Sequence, residues 1–115
     1  MPAAKSNKKV CAVAARAADL LEQGHCKKAF ARTACNLPCM TTDPNATKFC
    51  YAGAINRAMH DNGVMTPYVA KEVRSRLAVY LRLEYGWLKI ENANDYDPQS
   101  PTIGIEGLRA IARGE

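Results

Sequence analysis

Residues 8–24 read KKVCAVAARAADLLEQG, and the fold class turns on this stretch. Val10, Val13, Ala14, Ala17, Leu20 and Leu21 recur at three- and four-residue spacing, while Lys9, Arg16, Asp19 and Glu22 fall on the opposite face. That spacing marks an amphipathic helix of about four turns. Gly24 supplies its stop. Two further start signals lie downstream. Thr42 and Asp43 offer side-chain oxygens to orphan backbone N–H groups, and Pro44 suits a first helical position, where its missing donor costs nothing. A helix is therefore expected from Pro44 to about His60, with an inward stripe of Ala46, Phe49, Cys50, Gly53, Ala54 and Ala58 and an end at Asp61-Asn62-Gly63. Thr66-Pro67 opens a long helix carrying Val69, Val73, Leu77, Tyr80, Leu81 and a further apolar position at Leu83 or Tyr85, and Gly86 closes it. Ser100-Pro101 precedes a last helix, Thr102 to Arg113, despite Gly104 and Gly107.

Between these segments the patterns are weaker. His25 to Thr33 is compatible with a shorter helix before a loop spanning Cys35 to Cys39. Trp87-Leu88-Lys89-Ile90 fits a helical turn or an isolated strand, and the polar run Glu91 to Gln99 reads as a loop. The expectation is an all-α, single compact domain of four or five helices over residues 8–115, behind a flexible basic N-terminus at residues 1–7. No internal repeat or low-complexity linker argues for a second domain.

Composition bounds the function. The chain has 115 residues and a formal net charge of +5, with 48% hydrophobic and 23% charged residues. That balance excludes an acidic DNA mimic and permits an anionic partner without requiring one. No apolar run approaches the ~20 residues needed to span a bilayer, and the lysine-rich start is not followed by a signal peptide's apolar core; a cytoplasmic protein with no membrane association is expected. Five cysteines, Cys11, Cys26, Cys35, Cys39 and Cys50, are an odd number and fit reduced thiols better than a disulfide framework.

Three stretches taken together carry a resemblance: Leu20 through Arg32, then Asp43-Pro44, then Phe49-Cys50-Tyr51-Ala52-Gly53-Ala54-Ile55-Asn56-Arg57-Ala58. In this order they resemble a domain family of unknown function found in bacterial and phage proteins, with an aromatic-Cys-x-x-Gly-Ala-Ile/Leu-x-Arg-Ala helix and a later Asn-Asp element, here Asn94-Asp95. The likeness spans roughly residues 10–112. It departs at Phe49, where the family often has tryptophan, at Ala93, which stands before Asn94 in place of tryptophan, and at Cys35 and Cys39, which lie outside the pattern. The resemblance implies a fold and a bacterial or phage source, and no reaction.

Each candidate chemistry competes with a plainer role. Cys50, with His25 or His60 as base, is a candidate nucleophile, but two turns inside a helix begun at Asp43 it lies beyond the reach of the helix dipole and packs as a small apolar residue. His25, Cys26, Cys35 and Cys39 offer zinc ligands, with Cys50 and His60 in reserve, yet Cys35-x-x-x-Cys39 is one loose pair where a zinc site has two. Lys5, Lys8, Lys9, Arg16, Lys27, Lys28 and Arg32 could form one face for phosphates, since residues 1–60 hold nine Lys or Arg against three acids. No helix-turn-helix or aromatic stacking set accompanies them. Asn94 and Asp95 are read as pinning their loop to the first helices, and Trp87 as a core anchor. No glycine-rich phosphate loop, serine triad or acidic pair appears, so no catalytic or cofactor-binding residue is assigned. The reading is a small accessory or regulatory protein that binds a protein partner or itself, with apolar residues such as Val64, Met65, Tyr68 and Leu83 left for an interface. The alternatives are a basic nucleic-acid-associated protein and a cysteine-dependent or zinc-stabilised one.

Overall fold

The computed structural model describes residues 2–115, with side chains from residue 7 onward. Helix α1 (Pro2–Gln23) is the axis of the molecule, packing against the later helices and the sheet. Its helical phase extends back beyond Lys8, and Gly24 ends it as expected, its N–H reaching the Leu20 carbonyl at 3.1 Å. The expected loose start at residues 1–7 concerns mainly Met1 and side chains, Lys5 among them, that lie outside the described residues. Val10, Val13, Ala14, Ala17, Ala18, Leu20 and Leu21 are all buried. The alanines leave room for neighbouring backbones to approach closely.

The next elements correct the all-α expectation. Among the described residues, five helices are accompanied by a small three-stranded sheet made of β1 (Ala31–Thr33), β2 (Pro38–Cys39) and β3 (Ala46–Phe49), in the order β2-β1-β3. Both pairings are antiparallel, with Ala31 opposite Cys39 and Phe49, and Arg32 opposite Pro38 and Lys48. Ala31 and Phe49 face the core. The segment His25 to Thr33 is thus turn and strand, not helix. Thr42-Asp43-Pro44 marks a tight turn: Asp43 Oδ1 accepts the Asn45 N–H at 2.7 Å and the Asp43 carbonyl accepts from Ala46 N at 3.0 Å. An aspartate that can cap a helix can equally close a turn on its own backbone. Tertiary hydrogen bonds decide the outcome, because Phe49 N donates to Gly24 O and Cys26 N to Phe49 O, both at 3.1 Å.

Helix α2 (Tyr51–Asp61) consequently starts seven residues later than its proline suggested. Helix α3 (Pro67–Tyr85) follows its sequence signals, from proline in the first turn to Gly86 in the left-handed region at φ 77°. The expected loop after Trp87 contains helix α4 (Ile90–Tyr96), whose Ile90, Ala93 and Asn94 are buried at helical spacing. Trp87 packs against the core as expected and donates from Nε1 to Asp97 at 2.7 Å. Helix α5 (Thr102–Ala112) lies against α1 and α3. No helix among the described residues is long and apolar enough to cross a membrane.

The glycines of α5 have a packing reason. A Cβ on Gly104 would run into the ring of Tyr51, and one on Gly107 into Leu77 and Tyr80. Helix propensity favours alanine over glycine by about 1 kcal/mol, whereas overpacking a core costs about 1–3 kcal/mol. Gly104→Ala is therefore expected to lower stability by about 1–2 kcal/mol in equilibrium urea unfolding, and a stability gain would refute this account of the α5 contact.

Candidate functional site

Residues 24–26, the start of α2, helix α4 and Ser100 meet around one carboxamide. Asn94 is 1% exposed. Its Oδ1 accepts from the Tyr51 backbone N–H at 3.0 Å and from His25 Nε2 at 2.8 Å; its Nδ2 donates to the Cys26 carbonyl at 3.1 Å and to Asp95 Oδ1 at 2.9 Å. Two lone pairs and two protons are all engaged. The Tyr51 and Cys26 backbone groups fix which end is oxygen, so His25 must carry its proton on Nε2. Ser100 donates to the Asn94 carbonyl at 2.9 Å and accepts from the Tyr51 hydroxyl at 2.7 Å. Burial pushes the His25 imidazole below its ordinary pKa, against the pull of the Asn94 bond, and pushes the Tyr51 phenol up.

Beside this network lies a groove of 530 Å³ lined by Lys28, Phe30, Cys50, Ala52, Glu91 and Asp95, among others. Asp95 closes one side by accepting the Lys28 backbone N–H at 3.0 Å. The Lys28 ammonium stands 6.0 Å from the centre of the Tyr96 ring. Cys50 is not two turns inside a helix, as the sequence suggested, but the N-cap of α2, with Sγ accepting the Gly53 N–H at 3.2 Å. The cap position alone would favour a thiolate. Burial outweighs it and pushes the Cys50 thiol up. Of the candidate bases, His25 has Nε2 held by Asn94 at 2.8 Å, and His60 is ten residues along, about 15 Å of helix. The arrangement caps a helix and lines a groove.

The zinc candidates are spread out. Cys26 is buried and donates to the Ala29 carbonyl, and burial together with the nearby Cys50 pushes its thiol to about 11. Cys35 is exposed at the hairpin turn, Cys39 is half-buried in β2, and His25 belongs to the Asn94 network. Among the described residues no three His, Cys, Asp or Glu form a metal-holding group. Cys50, expected to pack as a small apolar residue, is half-buried, as is Cys11. The basic candidates fall into two groups separated by the length of α1, since Lys9 and Gln23 are about 21 Å apart along the axis. Lys8 and Lys9 lie beside residues 62–66, and Arg16 is paired with Asp61 at 2.9 Å. Lys27, Lys28 and Arg32 sit at the hairpin, joined by Lys48, which sequence spacing did not connect to them. The contacts of Asn94 to Cys26 and Tyr51 fit the pinning role expected of it; Ser100, expected at a helix start, serves the same network.

A family model described as a family of unknown function (DUF6197) matches residues 5–112. No curated protein and no solved structure matches the chain.

Two outcomes follow from this geometry. Cys50→Ser preserves the cap and is expected to hold stability within a few tenths of a kcal/mol, while Cys50→Ala loses it at a cost of about 1 kcal/mol in urea unfolding; equal stability of the two variants would remove the cap role. The folded protein takes up the His25 proton less readily than the unfolded chain, whose pKa is about 6.5. Stability is therefore complete above about pH 6.5 and is lost as pH falls from there towards the lower folded pKa. The urea midpoint should drop between about pH 7 and pH 5 in the parent protein, and His25→Gln should flatten that part of the profile.

Proposed function

Because the chain belongs to DUF6197, a family of unknown function, we propose its role from its own surface: a small, non-enzymatic accessory or regulatory protein of bacterial or phage type, cytoplasmic, that acts by binding a protein partner. The observation that carries this reading is Phe30. Its backbone is clamped, since its carbonyl accepts the Cys50 N–H at 3.2 Å and a Cβ at Gly53 would run into that same carbonyl. Its side chain is nevertheless 62% exposed. It stands between the 530 Å³ groove and a second one of 490 Å³ bordered by Pro38, Cys39, Met40 and Asn56. Leu37 and Met40 on the same hairpin are 64% and 76% exposed.

A large apolar side chain on a backbone held by hydrogen bonds, as at Phe30, is suited to anchoring a partner, because less ordering entropy is lost on binding. The surface named from the sequence is a separate one: Met65, Tyr68 and Leu83 are exposed and Val64 is half-buried, with Val64 and Met65 beside a groove of 680 Å³ and Leu83 beside one of 470 Å³, and it is the competing surface in the test below. Five cysteines as free thiols suit a reducing compartment. Burial of the Cys26 and Cys50 thiols, which pushes both up, favours binding over cysteine chemistry.

The test is affinity capture from the host combined with cross-linking, comparing the parent, Phe30→Ser and Met65→Ser. Both substitutions are at the surface and should leave stability within about 0.5 kcal/mol. Phe30→Ser is expected to lower recovery of the partner about tenfold or more, with Met65→Ser unchanged. Equal recovery by all three, or loss with Met65→Ser alone, would overturn the assignment of the surface.

A further inference from the structure

Two cations of the sheet, Arg32 and Lys48, are brought together by strand pairing. Strand pairing sets Arg32 directly opposite Lys48, and like charges facing each other across two strands destabilise a sheet. Both heads nevertheless converge on one residue. Arg32 Nη1 donates to the Asn36 carbonyl at 2.8 Å, and Lys48 Nζ donates to Asn36 Oδ1 at 2.7 Å. Asn36 sits in the left-handed region at φ 67°, a conformation that asparagine tolerates better than most residues. Arg32 Nη2 also reaches the Lys27 carbonyl at 3.4 Å. Elsewhere Arg16, Arg57, Arg76 and Arg109 each have a carboxylate partner. Among the described residues neither Arg32 nor Lys48 has one. The two cations are thus held together by a neutral amide, with their charges unmatched.

Leu37 follows Asn36 in the chain, Phe30 lies two residues before Arg32, and Met40 two residues after Pro38, which pairs with Arg32. We propose that this hairpin receives an acidic peptide segment of the partner, with Asp or Glu carboxylates on Arg32 and Lys48 and a neighbouring apolar side chain against Phe30, Leu37 and Met40. This rests on the protein-binding reading above and specifies the partner's chemistry. Two of the three exposed apolar side chains are aliphatic. Bases of a single-stranded nucleic acid need planar surfaces for stacking, so the mixture favours a peptide. An anionic segment also removes the repulsion that the register builds in, and charge complementarity of this kind fixes orientation and partner choice.

The experiment uses the full chain and a random peptide library displayed on phage, followed by binding measurements on the selected peptides made synthetically. Selected peptides are expected to carry Asp or Glu beside Leu, Ile or Phe. Lys48→Glu, which turns the repulsive pair into an attractive one, is the decisive variant: it should fold at least as stably as the parent by thermal melting, yet bind the selected peptide about tenfold or more weakly. Arg32→Gln should weaken binding in the same direction. Neutral apolar peptides whose binding is lost in Phe30→Ser but kept in Lys48→Glu would overturn the acidic segment and leave the docking surface standing. Peptides insensitive to all three substitutions would overturn both. A fluorescein-labelled oligothymidylate that binds the parent with steep salt dependence, and loses it in Lys48→Glu, would reassign the cations to phosphates and overturn the proposal.

Discussion

The carboxamide of Asn94 is the point on which this arrangement depends. It ties three stretches distant in the chain: the residues after α1, the start of α2, and α4 on which it resides. Each bond satisfies a group that is otherwise costly to bury, because an unpaired buried donor or acceptor loses its water without replacement. Tyr51 extends the network to Ser100, and its ring fills the space left by Gly104. The position of α5 is thus coupled to the same polar centre through one aromatic side chain. A fully satisfied buried network of this kind specifies one packing more sharply than apolar contacts alone.

The parts of the fold legible in the sequence were those with both periodicity and punctuation. Helices α1, α3 and α5 announced themselves through apolar spacing combined with Gly24, Pro67, Gly86 and Pro101. The sheet did not, because strands of two to four residues are too short to display an alternating pattern, and their stability comes from bonds to Gly24 and Cys26 that no local window contains. Asp43-Pro44 misled for a physical reason, since a carboxylate that accepts backbone N–H groups serves a turn as well as a helix start. Cys50 was hidden because cysteine is not an ordinary cap, and α4 because its two inward residues beyond Ile90 are an alanine and an asparagine.

The site was partly legible. The Asn94-Asp95 dipeptide stood out among polar residues, and the basic residues 27, 28 and 32 were visible as a group. What spacing could not supply was register. Lys48 joins Arg32 only because β3 lies antiparallel to β1, and Phe30 becomes a fixed, exposed anchor only because Gly53 lets α2 approach its carbonyl. Both facts depend on pairs of residues about twenty apart, beyond the reach of helical or strand periodicity.

The pairing of residues 24–26 with Phe49 has a consequence for the behaviour of the protein in a crowded solution. That pairing covers the outer side of β3 at Phe49, and the opposite edge of the sheet is the two-residue β2. Pro38 on that flank has no N–H to offer. A neighbouring chain therefore finds almost no backbone ladder to extend, which is how natural sheets resist edge-to-edge aggregation. The exposed Leu37 and Met40 thus border a sheet edge only two residues long, where apolar surface and backbone ladder are kept short together.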